Sequence, residues 1–112
     1  MMPTLFIDPG KLAHELQLER AVLVDDDVNG SVEEWREIAT LWVHIEPVGA
    51  ATVLFGEQSL PEVTHRITMR SRDDLQSGMR LRRGSRFFQL ITIHDPDETG
   101  RYLICRAREE GL

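Results

Sequence analysis

The chain is poor in the residues that most often announce a chemistry. It holds one cysteine among 112 residues, Cys105. That excludes an intramolecular disulfide and any zinc site built from several thiolates. Cys105 falls on an expected strand and reads as a buried, inert thiol. Aromatic residues make up only 6%, and Lys11 is the one lysine among 13 basic residues. No apolar run approaches the ~20 residues that span a bilayer as a helix, so no membrane partner is expected. The first ten residues lack a basic n-region and a long apolar h-region, and no signal peptide is expected. A nucleophile elbow, a phosphate-binding glycine loop and a dinucleotide fingerprint are all missing. The expectation is a protein without enzyme activity and without a cofactor.

What is present is an uneven distribution of charge. The net charge of −6 conceals two different halves. Residues 1–62 carry 12 acidic and 3 basic residues, a net −9, whereas residues 63–112 carry 7 acidic and 10 basic residues, a net +3. Twelve of the 13 basic residues are arginine, the cation enriched at protein interfaces, where lysine is depleted. An acidic half and an arginine-rich half suit head-to-tail association between copies, and they equally suit two solvated faces of a monomer.

Periodicity points to an all-β fold. Leu12, His14, Leu16 and Leu18 alternate with Ala13, Glu15, Gln17 and Glu19, predicting a strand over 13–23. The acidic stretch around Asp25, Asp26, Asp27, Asn29, Glu33 and Glu34 reads as a long exposed loop centred on Asn29-Gly30, mobile in the isolated protein. A second strand is expected over 35–46, with Leu41, Val43 and Ile45 on one face and Trp42, His44 and Glu46 on the other. Pro47 ends it. The small, apolar run Val48, Gly49, Ala50, Ala51, Thr52, Val53, Leu54, Phe55 and Gly56, followed by Glu57 and Gln58, suits a short helix around 50–55, marginal at that length without packing.

Val63, His65, Ile67 and Met69 alternate with Thr64, Arg66, Thr68 and Arg70 in the cleanest strand of the chain. Residues 79–83 and 86–94 form a hairpin across Gly84-Ser85, with a bulge expected near Ile91-Thr92 because Ile93 falls out of phase with Phe88 and Leu90. Residues 95–100 are a turn and 101–108 the last strand. The expected architecture is therefore a single domain over residues 1–112. It is a small antiparallel β-barrel of about six strands with long loops and one short helix, closed because closure removes exposed sheet edges.

The remaining chemistry is thin. His14, His44, His65 and His94 lie on four different expected strands without an HxH or HxxxH pair, so no metal site is expected. Asp95 and Asp97 sit in a turn, where aspartate belongs for local reasons. Arg80, Arg82, Arg83 and Arg86 cluster at one hairpin beside Phe87 and Phe88. That pattern also suits a small barrel binding single-stranded nucleic acid, although the acidic balance argues against it.

The order of these segments resembles the head–tail joining proteins of tailed bacteriophages and gene transfer agents, the head closure or stopper family. The resemblance rests on Gly10-Lys11-Leu12-Ala13-His14, then Trp35 with Leu41-Trp42-Val43-His44-Ile45-Glu46, then Thr64-His65-Arg66-Ile67-Thr68-Met69-Arg70. It continues through Gly78-Met79-Arg80-Leu81, Arg86-Phe87-Phe88-Gln89-Leu90 and Tyr102-Leu103. The chain departs from the family at Glu15, where many members carry a basic residue. It departs again in the middle segment, where a glutamine-rich helix is common and Glu57-Gln58 is the only echo.

The resemblance implies a virion protein assembled in the bacterial cytoplasm into a six- or twelve-fold ring. The portal and adaptor would lie above it and the tail terminator or tail tube below. Packaged double-stranded DNA would pass through the lumen without sequence recognition. On that basis residues 48–58 are the expected channel gate. Asp25, Asp26, Asp27, Asn29, Glu33 and Glu34 are expected to meet a partner ring, and Arg66, Arg70, Arg80, Arg82 and Arg83 to make subunit contacts. A tail terminator or adaptor ring is the neighbouring alternative.

Overall fold

The structure, a computed structural model, describes residues 7–28, 30–48, 54–55, 58–59 and 63–110. Asp8 opens it by capping a 3-10 turn over Pro9–Lys11, its Oδ1 accepting from the Gly10 N–H at 2.9 Å. Eight strands follow. They are β1 His14–Asp25, β2 Ser31–Pro47, β3 Leu54–Phe55, β4 Gln58–Ser59, β5 His65–Arg70, β6 Arg80–Arg83, β7 Arg86–His94 and β8 Tyr102–Glu110.

Six of them close into one antiparallel barrel in the order β1-β2-β5-β8-β7-β6, with β6 returning to β1. The small antiparallel barrel expected from periodicity is the one observed. Among the described residues, β3 and β4 pair only with each other. Leu54 and Phe55 are thus extended rather than helical. The rest of the proposed helix, residues 50–53, lies outside the described residues.

The alternation read from sequence sets which side chains point inward. Leu16, Leu18, Val43, Ile67, Met69, Leu81, Phe88, Leu90, Cys105 and Ala107 are essentially inaccessible and form the core, while Trp42 faces out at 56% exposure. Burial pushes the Cys105 thiol up to about 12, so it stays protonated at neutral pH. The bulge expected near Ile91 is present. Leu90 pairs with Ala107 and Thr92 with Arg106, leaving Ile91 as the extra residue. Gly84, at φ 62°, turns the two-residue β6–β7 hairpin, a conformation that β-carbon-bearing residues rarely adopt.

The acidic stretch is not a long loop. β1 runs on to Asp25 and β2 starts at Ser31, so that Val24 pairs with Val32, Leu23 with Glu33 and Val22 with Glu34. Only the tip is a turn, held by Asp26 N–H donating to Gly30 O at 2.8 Å. The strands are long enough in β-branched and apolar residues to keep pairing through the polar positions, and cross-strand pairing outweighs the acidic composition that suggested a loop. A second bulge marks where this extension leaves the barrel. Leu18 pairs with Ala39 but Glu19 with Glu37, leaving Ile38 unpaired. Beyond it β1 and β2 continue as a two-stranded arm, and the whole molecule measures 55 × 37 × 28 Å.

Candidate functional site: the arm and its arginine clamp

The barrel closes through a short seam. Only Gln17, Leu18 and Glu19 of β1 pair with β6, opposite Arg82, Leu81 and Arg80. Glu19 is 6% exposed. Its carboxylate accepts Arg80 Nε at 2.6 Å and Arg82 Nε at 2.9 Å, and Arg82 also reaches Glu37 at 3.7 Å. Burial by itself would raise the Glu19 pKa. The hydrogen bonds and charges of Arg80 and Arg82 outweigh that effect and hold the group below its ordinary value of 4.5. The Arg80 guanidinium lies 4.1 Å from the Trp35 ring centroid and 4.2 Å from that of Phe87. It is therefore sandwiched between a β2 and a β7 aromatic while bonded to β1. One ionic cluster closes the barrel and roots the arm.

Several other titratable groups are similarly engaged in construction. Arg86 grips Glu109 through two bonds of 2.7 and 3.0 Å. Thr64 Oγ1 accepts the Glu109 N–H at 2.7 Å. His65 packs edge-on against Phe88 with ring centroids 5.0 Å apart. Burial lowers the His65 pKa; Glu109 opposes that shift and Arg86 adds to it. Asp95 and Asp97 accept N–H groups of their own turn, from Asp97, Thr99 and Gly100. Among the described residues, no group of three His, Cys, Asp or Glu side chains is arranged to hold a metal ion.

The residues singled out from sequence fall in three places. Asp25, Asp26 and Asp27 form the arm tip, where Asp25 and Asp26 accept the N–H groups of Asp27 and Val28 at 3.1 and 3.0 Å. Glu33 and Glu34 lie on the β2 side of the arm, Glu34 within 3.5 Å of Arg36. Asn29 lies outside the described residues. Of the arginines, Arg80 and Arg82 serve the seam and Arg66 bonds Glu46 at 2.7 Å, whereas Arg70 and Arg83 are exposed at the rims of two different clefts. Of the proposed gate, Val48 is exposed and its N–H donates to Thr64 O at 2.9 Å. Leu54, Phe55 and Gln58 belong to the β3–β4 pair. Gly49, Ala50, Ala51, Thr52, Val53, Gly56 and Glu57 lie outside the described residues.

Sequence reasoning missed two features. Alternation with the buried Leu16 and Leu18 gives Glu19 an outward direction, but Arg80 and Arg82 bond over it and leave it 6% exposed. The arm's apolar residues Leu23, Val28 and Val32, 75%, 81% and 48% exposed, also escaped notice. Their exposure is unusual for a monomer, and the signal was the presence of large aliphatics inside an acidic run.

Comparison with known proteins settles the family. The sequence model of the phage head completion protein matches residues 7–110. The chain belongs to the phage head completion family. No curated protein matches the sequence. Among solved structures, the fold is similar to a chain from the virion of a native gene transfer agent particle, at 26% identity and a TM-score of 0.66, covering 88% of this chain and 94% of that one. It is also similar to protein SF1141 from Shigella flexneri 2a, at 23% identity and a TM-score of 0.64, covering 90% and 96%. This head completion protein is thus a structural component of a phage or phage-like virion.

Proposed function

We propose that the chain forms the stopper ring of the head–tail connector. The ring sits below portal and adaptor, retains packaged DNA and offers the tail its docking surface, with no catalytic step. The observation that carries this reading is the family match over residues 7–110, made by a barrel that holds an arm at one end and leads into residues 48–62 between β2 and β5. Loops and extensions on a rigid scaffold are where such a part keeps its function. Residues 48–58 are assigned the channel gate, closing on the ring axis with small apolar side chains. The arm carries the acidic surface toward partner proteins. The same negative charge repels DNA phosphates and keeps the strand from sticking as it passes.

The reading as a single-stranded nucleic-acid binder loses the residues that motivated it. Arg80 is stacked between Phe87 and Trp35 and bonded to Glu19, so neither the ring of Phe87 nor the guanidinium offers an open stacking platform. The deciding experiment removes residues 49–60 in particles that package DNA. Filled heads that leak DNA or fail to join tails are expected. Full DNA retention and normal tail joining would sink the gate assignment.

A further inference from the structure

The exposed large hydrophobic side chains lie at separate places on the molecule. Leu23, Val28 and Val32 crowd the arm tip, while Trp42 stands at the opposite end of the same β1–β2 ribbon. The tip is acidic throughout, with Asp25, Asp26, Asp27, Glu33 and Glu34 and no basic residue between Ala21 and Trp35. A two-stranded ribbon with apolar residues on both faces is marginal in water and gains by being covered.

The other end offers a complementary surface. A cleft of about 440 Å³ opens where the 3-10 turn and Leu12 meet Thr40–Trp42 of β2 and the end of β5. Nearly buried Leu12, Leu41 and Met69 form its floor, Trp42 supplies its exposed apolar surface, and Arg70 and Arg72 its cationic groups. Arg72 bonds Asp74 at 2.8 and 2.9 Å. Arg70 is exposed and has no acidic partner among the described residues. The cleft thus offers apolar contact and an uncommitted positive charge, which the acidic, aliphatic tip lacks.

The chain's own tip cannot fill it. Eleven residues of continuous β2 separate Ser31 from Trp42, a distance of about 36 Å at ~3.3 Å per residue. We propose that the arm tip of one copy seats in the Trp42–Arg70 cleft of the next copy. The contact is heterologous, with tip and cleft on different ends of each protomer, and such contacts close into rings when the rotation permits. The inference rests on the ring reading above and supplies its subunit contact. Tip charges steer the approach to Arg70, and Val28 and Leu23 bury against the exposed Trp42 ring.

Disulfide trapping tests it. Val28→Cys and Trp42→Cys replace two exposed side chains, and the native Cys105 is too buried to interfere. Mild oxidation of particles carrying both changes in one chain should give a ladder of linked copies, whereas either change alone should give none. Self-linking by Val28→Cys alone means arm meets arm and overturns the proposal. So does linking of Val28→Cys to a different virion protein, or the absence of a ladder in particles that contain the protein in its normal copy number. Absence of the protein from the connector, measured by mass spectrometry of wild-type particles, would instead overturn the ring reading itself. Independently, Arg70→Glu should lower incorporation at least tenfold and Arg70→Lys should largely preserve it. Normal incorporation of Arg70→Glu would overturn the charge pairing.

Discussion

β1 and β2 are one continuous pair of strands from His14 to Pro47, but the two ends of that pair are held by different physics. Over Gln17 to Glu19, β1 has a neighbour on each edge, β2 and β6, and its inward Leu16 and Leu18 are fully buried. On the arm side each strand has only the other, and large aliphatics reach solvent on a ribbon rich in carboxylates. The bulge at Ile38 and the Glu19 cluster mark the boundary. The comparison teaches that one hairpin can be stabilised in two ways along its length. The barrel end is buried by the rest of the chain, whereas the arm leaves Leu23, Val28 and Val32 exposed, which is what the proposed contact between copies would cover.

The largest expected effect lies on the barrel side. Phe88 is fully buried and touches His65 edge-on. Phe88→Ala should destabilise the isolated protein by about 3–5 kcal/mol, measured by urea denaturation. A loss under about 1 kcal/mol would break the comparison, because it would mean that the barrel core is not what holds the molecule together.

The boundary should come next. Glu19→Ala leaves Arg80 and Arg82 without their shared carboxylate at the shortest seam of the barrel, and an expected loss of about 2–4 kcal/mol follows from uncompensated, partly buried charge. The pH dependence sharpens the point. Burial raises the Glu19 pKa, but its two arginine partners bring it below 4.5, and Glu109 is lowered chiefly by its Arg86 hydrogen bond. A carboxyl depressed in the folded state contributes stability that is fully present above its unfolded pKa. That contribution is lost as pH falls through the lower folded value. Urea midpoints should therefore drop as pH is taken below about 4.5, and Glu19→Gln should flatten part of that slope. An unchanged slope would mean that the clamp carries no linked stability.

How far the fold was legible in sequence follows the same boundary. Barrel strands announced themselves through alternation, as in Val63 to Arg70 and Phe88 to Leu90, because each has one buried and one wet face. The bulge at Ile91 was visible because Ile93 broke phase. The arm was hidden because neither of its faces is buried by this chain, so Val22, Val24, Val32 and Glu34 show no inside–outside contrast. Burial of Glu19 was hidden for another reason. Arg80 and Arg82 lie 61 and 63 residues away, and nothing in local spacing reveals which of many arginines will cover a given carboxylate. The channel-gate assignment came from family resemblance alone, since residues 48–58 carry no chemical motif.

The smallest stability effect should come from the arm, and there it is diagnostic. Leu23 is 75% exposed opposite Glu33, so Leu23→Ser removes little buried area and introduces a side chain that water solvates readily. The isolated protein should unfold within about 0.5 kcal/mol of the original. In particles the same change removes apolar surface from the proposed tip contact, and at such interfaces a few central side chains dominate the binding energy. Incorporation or tail joining should then fall clearly while the urea midpoint stays put. If stability and assembly fall together, the arm is part of the folding unit after all. If neither moves, the exposed aliphatics of the tip meet no partner, and the division of labour along the hairpin fails at its outer end.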